Sequence, residues 1–301
     1  MRALAIGIGA VALLAGCVAS SRESQNKEFA ATITDAGCAQ ARHFLKLAGG
    51  TLAAGQQKPF LRAGCSNDHL IIQSNGIPNF EFVPVTPNPL QAQNYTWRIP
   101  RRPGIAAAKQ QVPLLGPIAV AVNGLPIYGP NEAPQHGTAD PLLDQLLDFC
   151  NGHTARGGVY HFHVMPRCLF DRIDGRTSLV VGYAFDGYPI LAPWECTDRS
   201  CQTVRKIKSS WRKMDSQRHV WRSNKYQAGA GDLDRCNGMT RPDGTYAYYA
   251  TDTFPYFLAC YHGEASFGHD GARRAGPPPG GIGRRPPGPP PRRPGGFGPR
   301  Y

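Results

Sequence analysis

The chain has 301 residues, 41% hydrophobic and 18% charged, which is enough to bury a core without help from a partner. Its net charge of +12 invites nucleic acid, yet seven arginines lie in residues 271–301 with no acid beside them and Arg2 lies in the leader; without those eight the charge falls to +4. That distribution argues against a basic nucleic-acid face on the body, and no stretch after the leader is apolar enough to span a bilayer.

Residues 1–16 combine one early positive charge with an apolar run too short to span stably, as an export signal does. Leu14-Ala15-Gly16-Cys17 resembles a bacterial lipobox. That resemblance implies cleavage before Cys17, its acylation, and anchoring to a membrane through lipid; a plain secretory signal is the alternative. The expected location is the bacterial cell envelope, on the periplasmic face or the cell surface. Residues 17–28 read as a polar tether, 29–266 as one globular domain, and 267–301 as a disordered Gly/Pro/Arg-rich tail. The tail is read as a solvated spacer in preference to a contact for anionic envelope polymers.

Cys38 to Leu47 predicts a helix stopped by Gly49-Gly50. Short β-rich runs then dominate: His69 to Gln73, Tyr95 to Ile99, Ile118 to Val122, Val159 to Val164, Leu179 to Phe185 and Tyr246 to Ala250. Asp140 as N-cap and Pro141 in the first turn predict a helix to Phe149, ended by Asn151-Gly152. Between Arg205 and Lys225, basic residues alternate with Trp211 and Trp221. There Val204, Ile207, Trp211 and Met214 have the spacing of one face of an amphipathic helix, so the charges are read as its solvated face. No nucleic-acid partner is expected. The fold class is mainly β / α+β: a single disulfide-rich domain with few short helices, built from two related halves.

The halves are visible as a repeat. Residues 147–163, LDFCNGHTARGGVYHFH, align without a gap on residues 233–249, LDRCNGMTRPDGTYAYY. Upstream, AVNGLPIYGPNE at 121–132 aligns with AFDGYPILAPWE at 184–195. The upstream blocks are offset by 63 residues and the cassettes by 86, so the second half (about 179–262) carries 23 residues that the first (about 116–168) lacks. Asn-Gly and Asp-Gly between β runs predict hairpin turns. In the cassettes His153 faces Met239, His161 faces Ala247 and His163 faces Tyr249, so three candidate ligands change together.

Apart from Cys17 there are eight cysteines, an even number in an exported chain, and disulfides are the natural reading. Cys150 and Cys236 occupy equivalent positions, and each has one further cysteine beyond its strand. This suggests Cys150 with Cys168, Cys236 with Cys260, Cys196 with Cys201, and Cys38 with Cys65.

Gly158-Val159-Tyr160-His161-Phe162-His163 is similar to the signature of the YHYH domain family, with Phe162 in place of its second Tyr. Gly152-His153, the run GYAFDGYPI at 182–190, GDLDRCNG at 231–238, Asp243-Gly244-Thr245-Tyr246 and Phe254-Pro255-Tyr256 extend the resemblance over roughly residues 110–265. The resemblance implies the domain and attaches no reaction to it.

The residues supply the chemistry. Side chains two apart on a strand share a face, so His161 and His163 can converge on one ion while Phe162 turns into the core, and His153 can close a third position. Three imidazoles suit Zn²⁺ or Cu²⁺. Tyr160, His136 or Glu132 could complete the coordination, and Asp148 could orient a ligand. Yet Asp148, Tyr160 and Glu132 persist as Asp234, Tyr246 and Glu195 where no His cluster exists, so all six read as scaffold. Asp148 and Asp234 are expected to bind turn amides, and Tyr160 and Tyr246 to pack in the core.

The leading reading is an exported, membrane-anchored lipoprotein binding a transition metal through His153, His161 and His163. The alternatives are an envelope module whose histidines serve core hydrogen bonds, and a metal-dependent hydrolase or oxidoreductase. Nucleophilic catalysis is disfavoured: the cysteines are expected to be oxidised, and no Gly-x-Ser-x-Gly elbow or phosphate-cradling loop is present.

Overall fold

An eight-stranded sheet carries the duplication. Across it run Gly238–Thr240, Tyr246–Tyr249, Pro189–Leu191, Val180–Ala184, Pro117–Ala121, Pro126–Tyr128, Val159–Phe162 and Gly152–Ala155. These coordinates come from a computed structural model that describes residues 38–47, 51–266 and 269–270. The export signal, Cys17, the tether and the tail beyond Gly271 lie outside the described residues, and among those described no helix is long and apolar enough to cross a membrane.

Registers show why two copies make one sheet. At its centre Pro117–Ala121 pairs antiparallel with Val180–Ala184, with Val120 opposite Tyr183, Ala119 opposite Ala184 and Ala121 opposite Gly182. Ala121 and Ala184, like Ala119 and Gly182, are equivalent in the repeat, so an approximate two-fold axis passes through this pair of strands. Outward from it, each half repeats the same steps. Ala119 pairs with Ile127 as Gly182 pairs with Ile190. Ile127 then lies parallel to Phe162 as Ile190 does to Tyr248. The hairpin turns use Gly124 at φ 80° and Gly187 at φ 96°, a region where a side chain is strained. Ile118 to Val122 are wholly buried, and with Phe162, Ile127, Tyr160, Ile190 and Tyr248 they form the core.

A second, antiparallel sheet orders Leu61–Cys65, His69–Ser74, Tyr95–Pro100 and His269–Asp270. Four disulfides join Cys38 to Cys65, Cys150 to Cys168, Cys196 to Cys201 and Cys236 to Cys260. Each cassette therefore closes a loop within its own half, and no bond crosses between halves.

Three expected helices are absent. Over 38–47 only a 3-10 turn forms, Gln40–His43. At 141–149 the cap is present, Asp140 Oδ1 accepting from the Leu142 and Leu143 amides, but Gln145 adopts φ 57° and only a turn forms. In a continuing helix the Leu146 carbonyl would accept from the Cys150 amide. Instead Cys150 donates to Asp148 Oδ1, and Leu146 accepts from His153 Nδ1. The longer connection of the second half carries two hairpins, Trp194–Cys196 with Val204–Lys206 and Trp211–Lys213 with Asn224–Tyr226. Of the supposed helical face, Ile207 is buried, Trp211 half-buried, and Val204 and Met214 exposed. Buried Ser209 and Ser210 explain this: their hydroxyls donate to the Phe254 and Leu233 carbonyls, contacts that hold the chain extended between the hairpins.

Candidate metal centre

The cassette hairpin places His153 directly opposite His161 on neighbouring strands, and His163 follows on the same face of its chain. All three are almost wholly buried, at 4%, 2% and 2% exposure. Their ring tips meet: His161 Nε2 lies 2.9 Å from His163 Nε2, which lies 3.2 Å from His153 Nε2. Phe162, between the two, is fully buried on the opposite face.

The far side of each ring is fixed by the backbone. His153 Nδ1 lies 2.9 Å from the Leu146 carbonyl, His161 Nδ1 3.1 Å from that of Val159, and His163 Nδ1 2.7 Å from that of Gly129. A carbonyl only accepts, so each Nδ1 must carry the ring proton. In the neutral rings every Nε2 is then a lone pair, and the three lone pairs point at one another. Burial, together with the neighbouring imidazoles, makes an added proton costly: it pushes His163 down to about 3 and His161 well below its ordinary value. Among the described residues these three form the one group of His, Cys, Asp or Glu whose donor atoms, all within 4.8 Å of one another, can hold an ion. Tyr128 stacks on His161 at 3.9 Å between ring centres and restrains that ring.

The scaffold residues match between cassettes. Asp148 Oδ1 accepts from the Cys150 and Gly152 amides and Oδ2 from the Tyr160 hydroxyl at 2.7 Å. Asp234 Oδ1 accepts from Cys236 and Gly238, and Oδ2 from Tyr246 at 3.0 Å. Asn151 and Asn237 both turn the chain at positive φ, 66° and 70°. Their side-chain amides differ: Asn237 donates to the Tyr249 and Phe257 carbonyls, Asn151 to that of Met165.

Glu132 does not fit the scaffold reading. Its Oε1 is buried without a hydrogen bond, 3.3 Å from His153 Nε2 and 3.8 Å from His163 Nε2. Its counterpart Glu195 accepts from Arg241 Nε at 2.6 Å, the Tyr249 hydroxyl at 2.5 Å and the Cys196 amide at 2.8 Å. Persistence in both halves hid this difference, because what changes is the partner. The signal was Arg241, which stands where the first cassette has Ala155. His136 is exposed in the 3-10 turn Pro134–His136 and carries no position in the cluster. His262 lies in the other half, stacked 3.7 Å over Tyr246, since the halves lie edge to edge in one sheet and not face to face.

Two open cavities, of about 470 and 450 Å³, lie in the second half, lined respectively by residues such as Tyr246 and His262, and Glu195 and Arg241. Neither is lined by His153, His161 or His163. A family model described as YHYH protein matches residues 96–263. No curated protein and no solved structure matches the chain.

Proposed function

Since this chain belongs to the YHYH family, whose signature strand here carries two of three converging imidazoles, we propose that it binds a divalent transition metal through His153, His161 and His163. The observation that supports the reading is the tautomer argument. Three Nε2 lone pairs approach within 2.9 and 3.2 Å while every Nδ1 proton is engaged by a carbonyl. Such a set is repulsive unless a cation sits among it. Core hydrogen bonding without metal needs a proton on one Nε2: either a charged ring, which burial opposes at His161 and His163, or a neutral ring whose Nδ1 lone pair then faces a carbonyl lone pair. Zinc fits the imidazole set best, and copper is the runner-up.

The burial of all three rings favours a sealed site over a metal-dependent hydrolase or oxidoreductase. The metal content of the untagged chain tests the reading. One equivalent of metal per chain is expected, lost in a His161→Ala/His163→Ala variant. A wild-type chain without metal, or a variant that retains it, overturns the assignment.

For location we propose export and lipid anchoring at Cys17, with the membrane as partner. The leader and lipobox supply the argument, and four disulfides suit an oxidising compartment. Acyl-chain labelling of the wild type and its absence in Cys17→Ser is the expected result.

A further inference from the structure

We propose that Glu132 is the fourth ligand of this site, so that the ion is enclosed by three imidazoles and one carboxylate with no coordination position open to a substrate. The proposal rests on the metal reading above and deepens it.

The first argument is the orphaned oxygen. Glu132 Oε1 is buried, receives no hydrogen bond, and sits 3.3 and 3.8 Å from His153 Nε2 and His163 Nε2, the far nitrogens of both rings lying against backbone carbonyls. A desolvated carboxylate oxygen with only lone pairs for neighbours is costly, and a cation shared with those lone pairs removes the cost. Distances agree with the same conclusion. Ligands about 2.0 to 2.1 Å from a tetrahedral ion stand roughly 3.3 Å from one another. Four of the six separations among these atoms, 2.9, 3.2, 3.3 and 3.8 Å, fall around that value.

The second argument comes from the other half. At the equivalent place Glu195 is neutralised by the Arg241 guanidinium, and Tyr249, the counterpart of His163, donates its hydroxyl to the same carboxylate. The architecture therefore places a cation against this glutamate in both copies. In the second it is covalently part of the chain. In the first, Ala155 stands where Arg241 would reach from, and the three imidazoles are aimed at the space beside the carboxylate. With neutral rings, a divalent ion and one carboxylate leave a net charge of +1, as the guanidinium leaves zero, so both sites avoid an isolated buried anion. Four protein ligands around zinc are characteristic of sites that stabilise structure, whereas catalytic sites keep one position for water.

Co²⁺ alone, added to the full chain as a spectroscopic probe, tests the assignment. The wild type is expected to give a four-coordinate visible spectrum that azide does not move. Glu132→Ala is expected to open a position, so that azide shifts the spectrum. Glu132→Gln is expected to weaken Co²⁺ binding by roughly 10- to 100-fold in competition with a chelator, and Glu132→Asp to recover part of that loss. A wild-type spectrum that responds to azide, or wild-type affinity and azide silence in both Glu132→Ala and Glu132→Gln, overturns the carboxylate ligand. If those variants behave as wild type while His161→Ala/His163→Ala loses the metal, only the Glu132 assignment falls. If the wild type takes up none of Co²⁺, Zn²⁺ and Cu²⁺, both readings fall.

Discussion

The two halves solve one electrostatic problem with different chemistry. Each folds a glutamate with a buried carboxylate oxygen against a cassette hairpin whose Asp accepts from the same two turn amides and the same Tyr hydroxyl. Around Glu195 the second half closes the site with Arg241 and Tyr249; around Glu132 the first half presents three imidazole lone pairs. The lesson is that conserving a residue between copies does not conserve its role. Glu132 and Glu195 share position and sheet register but not partners, and a carboxylate is defined electrically by what neutralises it.

The largest effect should come from converting the first site into the second. A chain carrying Ala155→Arg, His153→Met, His161→Ala and His163→Tyr is expected to bind no metal and to unfold at a temperature that a chelator does not change. The wild type should lose thermal stability on chelation, because an ion bound only by the folded state stabilises it by mass action. A chelator-insensitive wild type would break the comparison.

Next, Arg241→Ala should destabilise the protein by about 3 kcal/mol in denaturant unfolding, since it strands the Glu195 carboxylate, which is 1% exposed. The loss from chelation should be the same in this variant as in the wild type if the two sites act independently. The Arg241 effect should also depend on pH. Burial pushes the Glu195 carboxyl up, but the Arg241, Tyr249 and Cys196 hydrogen bonds outweigh it and hold it below its ordinary 4.5. A lowered folded-state value means that this contribution is full above 4.5 and is lost as pH falls through the folded value. The gap between wild type and Arg241→Ala is therefore expected to narrow in acid.

Smaller differences should separate the shared scaffolds. An alanine Cβ at Gly152 would meet the Tyr160 hydroxyl at 2.5 Å and the His161 carbonyl at 2.6 Å; at Gly238 its three nearest neighbours would be Tyr246 ring and hydroxyl atoms. Both substitutions should cost about 1 to 3 kcal/mol by denaturant midpoint, with Gly152→Ala the worse because a backbone carbonyl cannot swing away. Last, Tyr160→Phe should cost roughly 1 to 2 kcal/mol and Tyr246→Phe about half of that. Asp234 Oδ2 keeps Lys109 Nζ at 3.2 Å after the loss, while Asp148 Oδ2 keeps no other donor among the described residues. Equal costs would show that the cassettes are energetically interchangeable.

Much of this was legible in the chain itself, because a repeat records tertiary equivalence in one dimension. Alignment without a gap placed His153, His161 and His163 as a set and set the two cassettes in matching positions. Alternation put Phe162 in the core and its two neighbours on the other face, since a strand has a period of two. Helices were the failure. At Pro141 the cap and composition were right, but the Leu146 carbonyl is taken by His153, a partner seven residues on that local propensity does not see. At Val204 to Met214 the helical spacing was coincidental, and two buried serines decided the matter.

Sequence alone thus determined the duplicated β architecture and the histidine set, because those follow from side-chain period and turn chemistry within a few residues. Only the tertiary structure decided which carbonyl each ring nitrogen faces, the absence of the helix after Pro141 and the neighbours of Glu132. Each of these depends on which distant group occupies the remaining hydrogen-bonding direction, and that is settled when the strands are brought side by side.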